Sequence, residues 1–170
     1  MFGSKSLLFV ALGLSYVVAN NCGGNCPSGR CTTCHCGTSQ NHVDIASWCA
    51  KHNWSQACCQ CVVKHESGGN AHAELHNTNG SDDVGLWQVN SMNWGQCNGG
   101  HAPCDVNQNL QCAIKVYNWG GHTWKLWSTC GACGCCSRAE EEAHLLREQE
   151  EALRLAQETP ALQDEDFLQQ

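Results

Sequence analysis

The chain has 170 residues, with nine Lys and Arg against sixteen Asp and Glu, a formal charge of −7, and sixteen Cys. Every Cys lies between Cys22 and Cys136, a stretch of one-domain length, and cysteine at that density belongs to oxidised scaffolds rather than to enzymes of a reducing compartment. Segment 20–136 holds five basic against six acidic side chains and 137–170 holds three against ten, so a nucleic-acid role lacks its electrostatic footprint.

Residues 1–19 combine Lys5, an apolar run over 7–14 and small residues near Ala19, the pattern of a cleavable secretory leader. The run is shorter than the ~18 residues that a membrane span requires. The expectation is a secreted monomer with no membrane partner after leader cleavage. Over 20–42, Cys22, Cys26, Cys31, Cys34 and Cys36 alternate with Gly and Pro, which predicts a region stapled by disulfides. Cys31-x-x-Cys34-His35-Cys36 has the look of a zinc knuckle, but paired C-x-x-C units with a long spacer are absent, so no metal is expected.

Apolar residues at helical spacing predict a short helix over 43–53. Ser55 is placed to cap a second helix reaching about Glu66, with Cys58, Cys59, Val62 and Val63 buried and Gly68-Gly69 ending it. Glu66 then sits at a helix C-terminus, where the macrodipole disfavours its charge and apolar neighbours would raise its pKa. His65, its neighbour, is expected to be packed or solvent-facing.

Glu74-Leu75-His76, the polar cluster 77–81 with Asn79-Gly80, and the stretch 82–90 predict a hairpin whose second strand presents Asp83. Helices around a hairpin make the class α+β. Cys97 and Cys104 bracket a Gly-rich loop and are expected to bond, and a third helix is predicted over 109–118. Seven Trp exceed what so small a core requires, and aromatic faces suit sugar rings. Asn53-Trp54-Ser55 and Asn79-Gly80-Ser81 are glycosylation triplets. In 137–170, Ser137 and Glu140 fit a capping box, and Ala139, Ala143, Leu146, Leu153 and Ala156 recur at helical spacing until Pro160. The prediction is a solvated, dispensable helix with a disordered end.

Cys61-Val62-Val63-Lys64-His65-Glu66-Ser67, and then Asp83-Val84-Gly85-Leu86-Trp87-Gln88-Val89-Asn90-Ser91, resemble the animal-type (c-type) lysozymes. That family has a Glu five residues after a disulfide Cys and an Asp seventeen positions further on, a spacing that Glu66 and Asp83 match without a gap. The likeness extends more loosely over about 49–130, where Trp94 stands at a sugar-stacking position and Trp124-x-x-Trp127 precedes Cys130.

The resemblance implies a disulfide-rich lysozyme-like fold, helices and a small hairpin flanking a cleft. It implies a glycosidase that cleaves the β-1,4 bond between N-acetylmuramic acid and N-acetylglucosamine in bacterial peptidoglycan, with retention. Glu66 would be the general acid and Asp83 the nucleophile or electrostatic stabiliser, kept ionised by its polar hairpin; Asp82 is the fallback for Asp83. Gln88, Asn90, Trp94 and Trp124 would bind substrate, although Gln88 and Asn90 suit equally well a purely turn-capping role. No cofactor is implied. The family's bridges would give Cys61–Cys130 and Cys97–Cys104, leaving Cys112 to one of the extra cysteines. Glu66-Ser67-Gly68-Gly69-Asn70 also resembles the lytic transglycosylases, which lack the partner Asp. An inactive carbohydrate-binding relative is a further alternative, opposed by the presence of both carboxyls. Eight of the nine His lie in the near-neutral body, so acidification is expected to favour binding to a polyanionic wall, as in an acidic digestive compartment.

Overall fold

In the computed structural model, which describes residues 20–167 and side chains as far as Glu158, the chain folds as helices around one small antiparallel sheet. The expected leader, 1–19, lies outside the described residues. Helix α1, Ile45–Cys49, opens on Asp44, whose carboxylate accepts from Ala46 N. It is shorter than predicted, and its last residue is bonded to Cys59. Helix α2, Gln56–Glu66, opens on Ser55, whose hydroxyl accepts from Cys58 N, and it buries Cys58, Cys59, Val62 and Val63 as the pattern predicts.

Strands β1 (Glu74–His76), β2 (Asp82–Val84) and β3 (Val89–Asn90) form a sheet in sequence order, with Leu75 opposite Asp83 and Asp83 opposite Asn90. The turn between β1 and β2 closes through Gly80, whose φ of +84° is the left-handed region that glycine enters without strain. Between β2 and β3 the chain passes Gly85, also left-handed, directly against the buried amide of Asn109. That amide donates to Val84 O and Pro103 O and accepts from Trp87 N, so it pins the connection from both sides.

Helix α3, Ser91–Cys97, was not among the predicted elements; Asn90 caps it by accepting from Met92 N. Helix α4, Val106–Trp119, starts three residues ahead of the prediction because Asp105 accepts from both Asn107 N and Gln108 N. Helix α5 is Cys130–Cys133 and helix α6 is Arg138–Phe167. The core joins α2, α4 and the sheet around an aromatic cluster, in which Trp54 lies 4.9 Å from Trp124, 5.6 Å from Tyr117 and 6.0 Å from Trp87 between ring centres. Among the described residues no helix is long and apolar enough to cross a membrane.

All sixteen Cys are paired. The pairing corrects the expected bridges: Cys61 bonds Cys133, Cys130 bonds Cys136, Cys97 bonds Cys112 and Cys104 bonds Cys36. Packing decides these choices. Helices α3 and α4 lie against each other and bring Cys97 to Cys112, which frees Cys104 for the N-terminal segment.

That segment is stapled internally by Cys22–Cys34 and Cys26–Cys31 and is held to the body by Cys36–Cys104. It docks on a buried carboxylate: Glu74, 3% exposed, accepts from His35 N at 2.9 Å and Cys36 N at 2.7 Å. Asn25 donates to Gly37 O and Ser39 O and accepts from Asn70, so no buried amide of this junction lacks a partner.

The C-terminal helix differs from the solvated tail that the sequence predicts. Its capping box forms, with Ser137 N and Oγ both donating to Glu140. Glu141, however, is 2% exposed and accepts from Ser55 N and Tyr117 Oη, while Glu148 accepts from Ser55 Oγ, Gln56 N and Ala57 N. An acidic face therefore docks on the positive end of α2, and the predicted apolar seam turns outward at Leu146 and Leu153. The backbone remains helical past Pro160, where the prediction ended it.

Candidate active site

Two carboxyls face one cleft of about 440 Å3, whose walls include Glu66, Asp83, Asn77, Asn90, Leu126 and Trp127. Glu66 is the last residue of α2, carried there by the Ser55 cap, the buried apolar face and the turn at Ser67. Asp83 is the middle residue of β2 and projects to the cleft, whereas its neighbour Asp82 points to the opposite face, as alternation along a strand demands. Asp82 is bound there between His76 Nδ1 at 2.7 Å and His35 Nε2 at 3.1 Å, and it does not line the cleft.

The carboxyls have different partners. Thr129 Oγ1 donates to Glu66 Oε1 at 2.6 Å. Asp83 accepts from Asn77 Nδ2 and Asn90 Nδ2, each at 2.7 Å. An amide N–H can only donate, and therefore favours the ionised carboxylate. A donating hydroxyl also favours the carboxylate, but it can turn and accept from the carboxylic acid, so Glu66 keeps Thr129 as a partner in either state.

Burial raises the Glu66 pKa; the Thr129 hydroxyl opposes the rise and the charge of Asp83 adds to it. Burial also raises Asp83, against the two amide donors, and the charge of Asp82 adds to the rise. The polar hairpin thus does not hold Asp83 at its ordinary value, because burial outweighs the amides. The charge of Asp83 favours the protonated form of Glu66.

Gln88 and Asn90 both line the cleft. Gln88 has a left-handed backbone and gives its amide to Ala73 O and Gly85 O, so it braces the hairpin base. Asn90 joins three tasks, holding Asp83, donating to Ser81 Oγ and capping α3. The two Trp named from resemblance require correction. Trp124 is 0% exposed in the aromatic cluster, and Trp94 is 7% exposed with its Nε1 donating to Val89 O; neither lines the cleft. Trp127, tied to Trp87 O, and the half-exposed Leu126 form that wall instead. His65 is solvent-facing, as expected.

Sequence reasoning missed Asn77, Thr129 and Trp127. Asn77 carried a faint signal as the first member of the polar turn cluster, and Trp127 as the second Trp of Trp124-x-x-Trp127. Thr129 had none, since its approach to Glu66 depends on α5 folding back over the end of α2.

The family described as "Lysozyme like domain" matches residues 44–129, about half of the chain. "Lysozyme X" of Drosophila melanogaster is 36% identical over 87 residues, covering 43% of this chain and 60% of that protein. The chain thus spans less than two thirds of that relative's length.

Proposed function

The chain belongs to the lysozyme-like domain family, and on that footing we propose that it is a muramidase, a hydrolase of the β-1,4 bond between N-acetylmuramic acid and N-acetylglucosamine in bacterial peptidoglycan. The observation that carries the reading is the contrast between the two carboxyls of the cleft, with hydroxyl-held Glu66 under the charge of amide-held Asp83.

Glycoside hydrolysis needs one carboxyl that keeps its proton and one that has lost it. Glu66 gives its proton to the leaving oxygen as the glycosidic C–O bond breaks. Asp83 meets the positive charge that develops at the anomeric carbon, by bonding to it or by electrostatic stabilisation. Water then adds at that carbon and returns a proton to Glu66. Asn77 and Asn90 keep Asp83 aimed and ionised, and Leu126 and Trp127 offer an apolar wall to a sugar ring. This route calls on no cofactor and no metal.

The sixteen paired Cys support an oxidising, extracytoplasmic location. With the expected leader removed from 1–19, the active body would be 20–136 carrying 137–170 as an appended helix, secreted or delivered to an acidic digestive lumen, and acting as a monomer on wall polysaccharide.

The test is release of soluble sugar from purified peptidoglycan by the wild-type protein and by Glu66→Gln. The amide keeps the shape and cannot donate the proton, so Glu66→Gln should bind wall and release nothing. Release above about a tenth of the wild-type rate, a loss worth only ~1.4 kcal/mol, removes Glu66 from the acid role.

A further inference from the structure

The cleft does not end at Glu66. A second lobe of about 460 Å3 lies on its other side, sharing Glu66, Gln88 and Ser128 with the first, and its outer wall comes from the stapled N-terminal segment. Asp83 lines only the first lobe. In the muramidase reading, on which this inference rests, the acid stands on the leaving-group side of the scissile bond and the partner carboxylate on the other. The polymer on the leaving side then runs past Glu66 into the second lobe.

What that lobe offers a ligand is chiefly imidazole, since Gln40 Nε2 already donates to Gly24 O and Gln88 Nε2 to Ala73 O and Gly85 O. Exposed Gln40 and His42 reach it from the stapled segment and exposed His65 from the end of α2. Of its two carboxyls, Glu66 serves the chemistry and Glu74 is consumed by the His35 and Cys36 N–H groups. The wall is rigid, because disulfides and the Asn25–Asn70 contact hold the segment against the turn after α2. Imidazoles donate hydrogen bonds and, when protonated, carry positive charge. A ligand with free carboxylates suits such a surface better than an uncharged sugar.

We propose that the stapled segment, with the end of α2, forms a leaving-side subsite that takes the carboxylate of the wall polymer's peptide substituent against His42 and His65.

The experiment measures binding to the Glu66→Gln protein by calorimetry near pH 5.5, with soluble peptide-bearing glycan fragments and with the same fragments after the peptides have been removed by an amidase and the lactyl carboxyls which that hydrolysis frees have been capped as neutral methylamides. Peptide-bearing fragments should bind about tenfold tighter, the scale of one charge-assisted hydrogen bond. Adding His42→Gln and His65→Gln should cut that preference to about twofold or less. His65→Gln alone, at an exposed position, should give an intermediate preference and serves if the triple variant misfolds. Equal affinity for the two fragments, or a preference that survives both substitutions in a folded protein, overturns the subsite. Binding of neither fragment by the Glu66→Gln protein overturns the muramidase reading with it.

Discussion

Asn77 gives its side-chain amide to Asp83 Oδ2 at 2.7 Å across the turn of the hairpin. Burial raises the Asp83 pKa and this amide, with that of Asn90, pulls it down. Replacing Asn77 by Ala removes one of the two opposing contacts, so Asp83 should hold its proton to higher pH. The acidic limb of the activity profile should move up, and lysis below about pH 5, near the carboxyl range, should fall several-fold. Asn77 is the cleaner choice than Asn90, which also caps α3 at a cost on loss of about 1 kcal/mol. An acidic limb that stays in place after Asn77→Ala would show that this amide does not tune Asp83.

Thr129→Val leaves the shape of the side chain and deletes its hydroxyl. Burial and the nearby Asp83 charge raise Glu66, and Thr129 works against them. Its loss should move the alkaline limb to higher pH, and Thr129→Ser should restore the wild-type profile. A shift of both limbs together would point to a general disturbance of the cleft.

The part of this arrangement that sequence makes legible is local. Ser55 as cap, the buried face of α2, Glu66 at its end and Asp83 on the strand after an Asn-Gly turn each follow from short-range rules, and the structure keeps them. Disulfide partners do not follow, because Cys97 could reach either Cys104 or Cys112 until the packing of α3 on α4 and the return of Cys36 decide. Trp94 and Trp124 were misread for a similar reason. Aromatic character alone does not say whether a ring faces a cleft or the core. The α6 contact escaped because helical docking is read from apolar seams, and here Glu141 and Glu148 make it.

Folding stability should report the state of Glu66 independently of activity. Its folded pKa lies above the unfolded value, so its contribution is fully present below the unfolded pKa and is lost as pH rises through the folded one. Glu66→Gln removes a carboxylate that is buried at neutral pH. The variant should therefore melt higher than wild type at pH 7, with the gain shrinking as pH falls through the carboxyl range. Calorimetry at pH 7 and pH 3 checks this, and a variant that melts lower at pH 7 would contradict it.

Burial pushes Glu148 up, but hydrogen bonds from Ala57, Ser55 and Gln56 outweigh it and leave the group below its ordinary value. Its contribution is then present above the unfolded pKa and lost as pH falls through the folded one. Glu148→Gln should cost about 1 kcal/mol at neutral pH, the worth of a helix-terminal charge and cap, and little at pH 3. Deleting 137–170 should lower Tm further, because Ser55 N and Tyr117 Oη lose Glu141 as well. Unchanged Tm on deletion would mean that the α6 contact adds no stability.

The central claim is that Glu66 and Asp83 together hydrolyse the glycosidic bond with water as the acceptor. Mass spectrometry of the fragments released from purified peptidoglycan reads this directly. Hydrated reducing ends from the wild-type protein, absent with Glu66→Gln and strongly reduced with Asp83→Asn, are the predicted result. Ends of the 1,6-anhydro type, made without water and undiminished by Asp83→Asn, would contradict it and assign the cleft to a lytic transglycosylase.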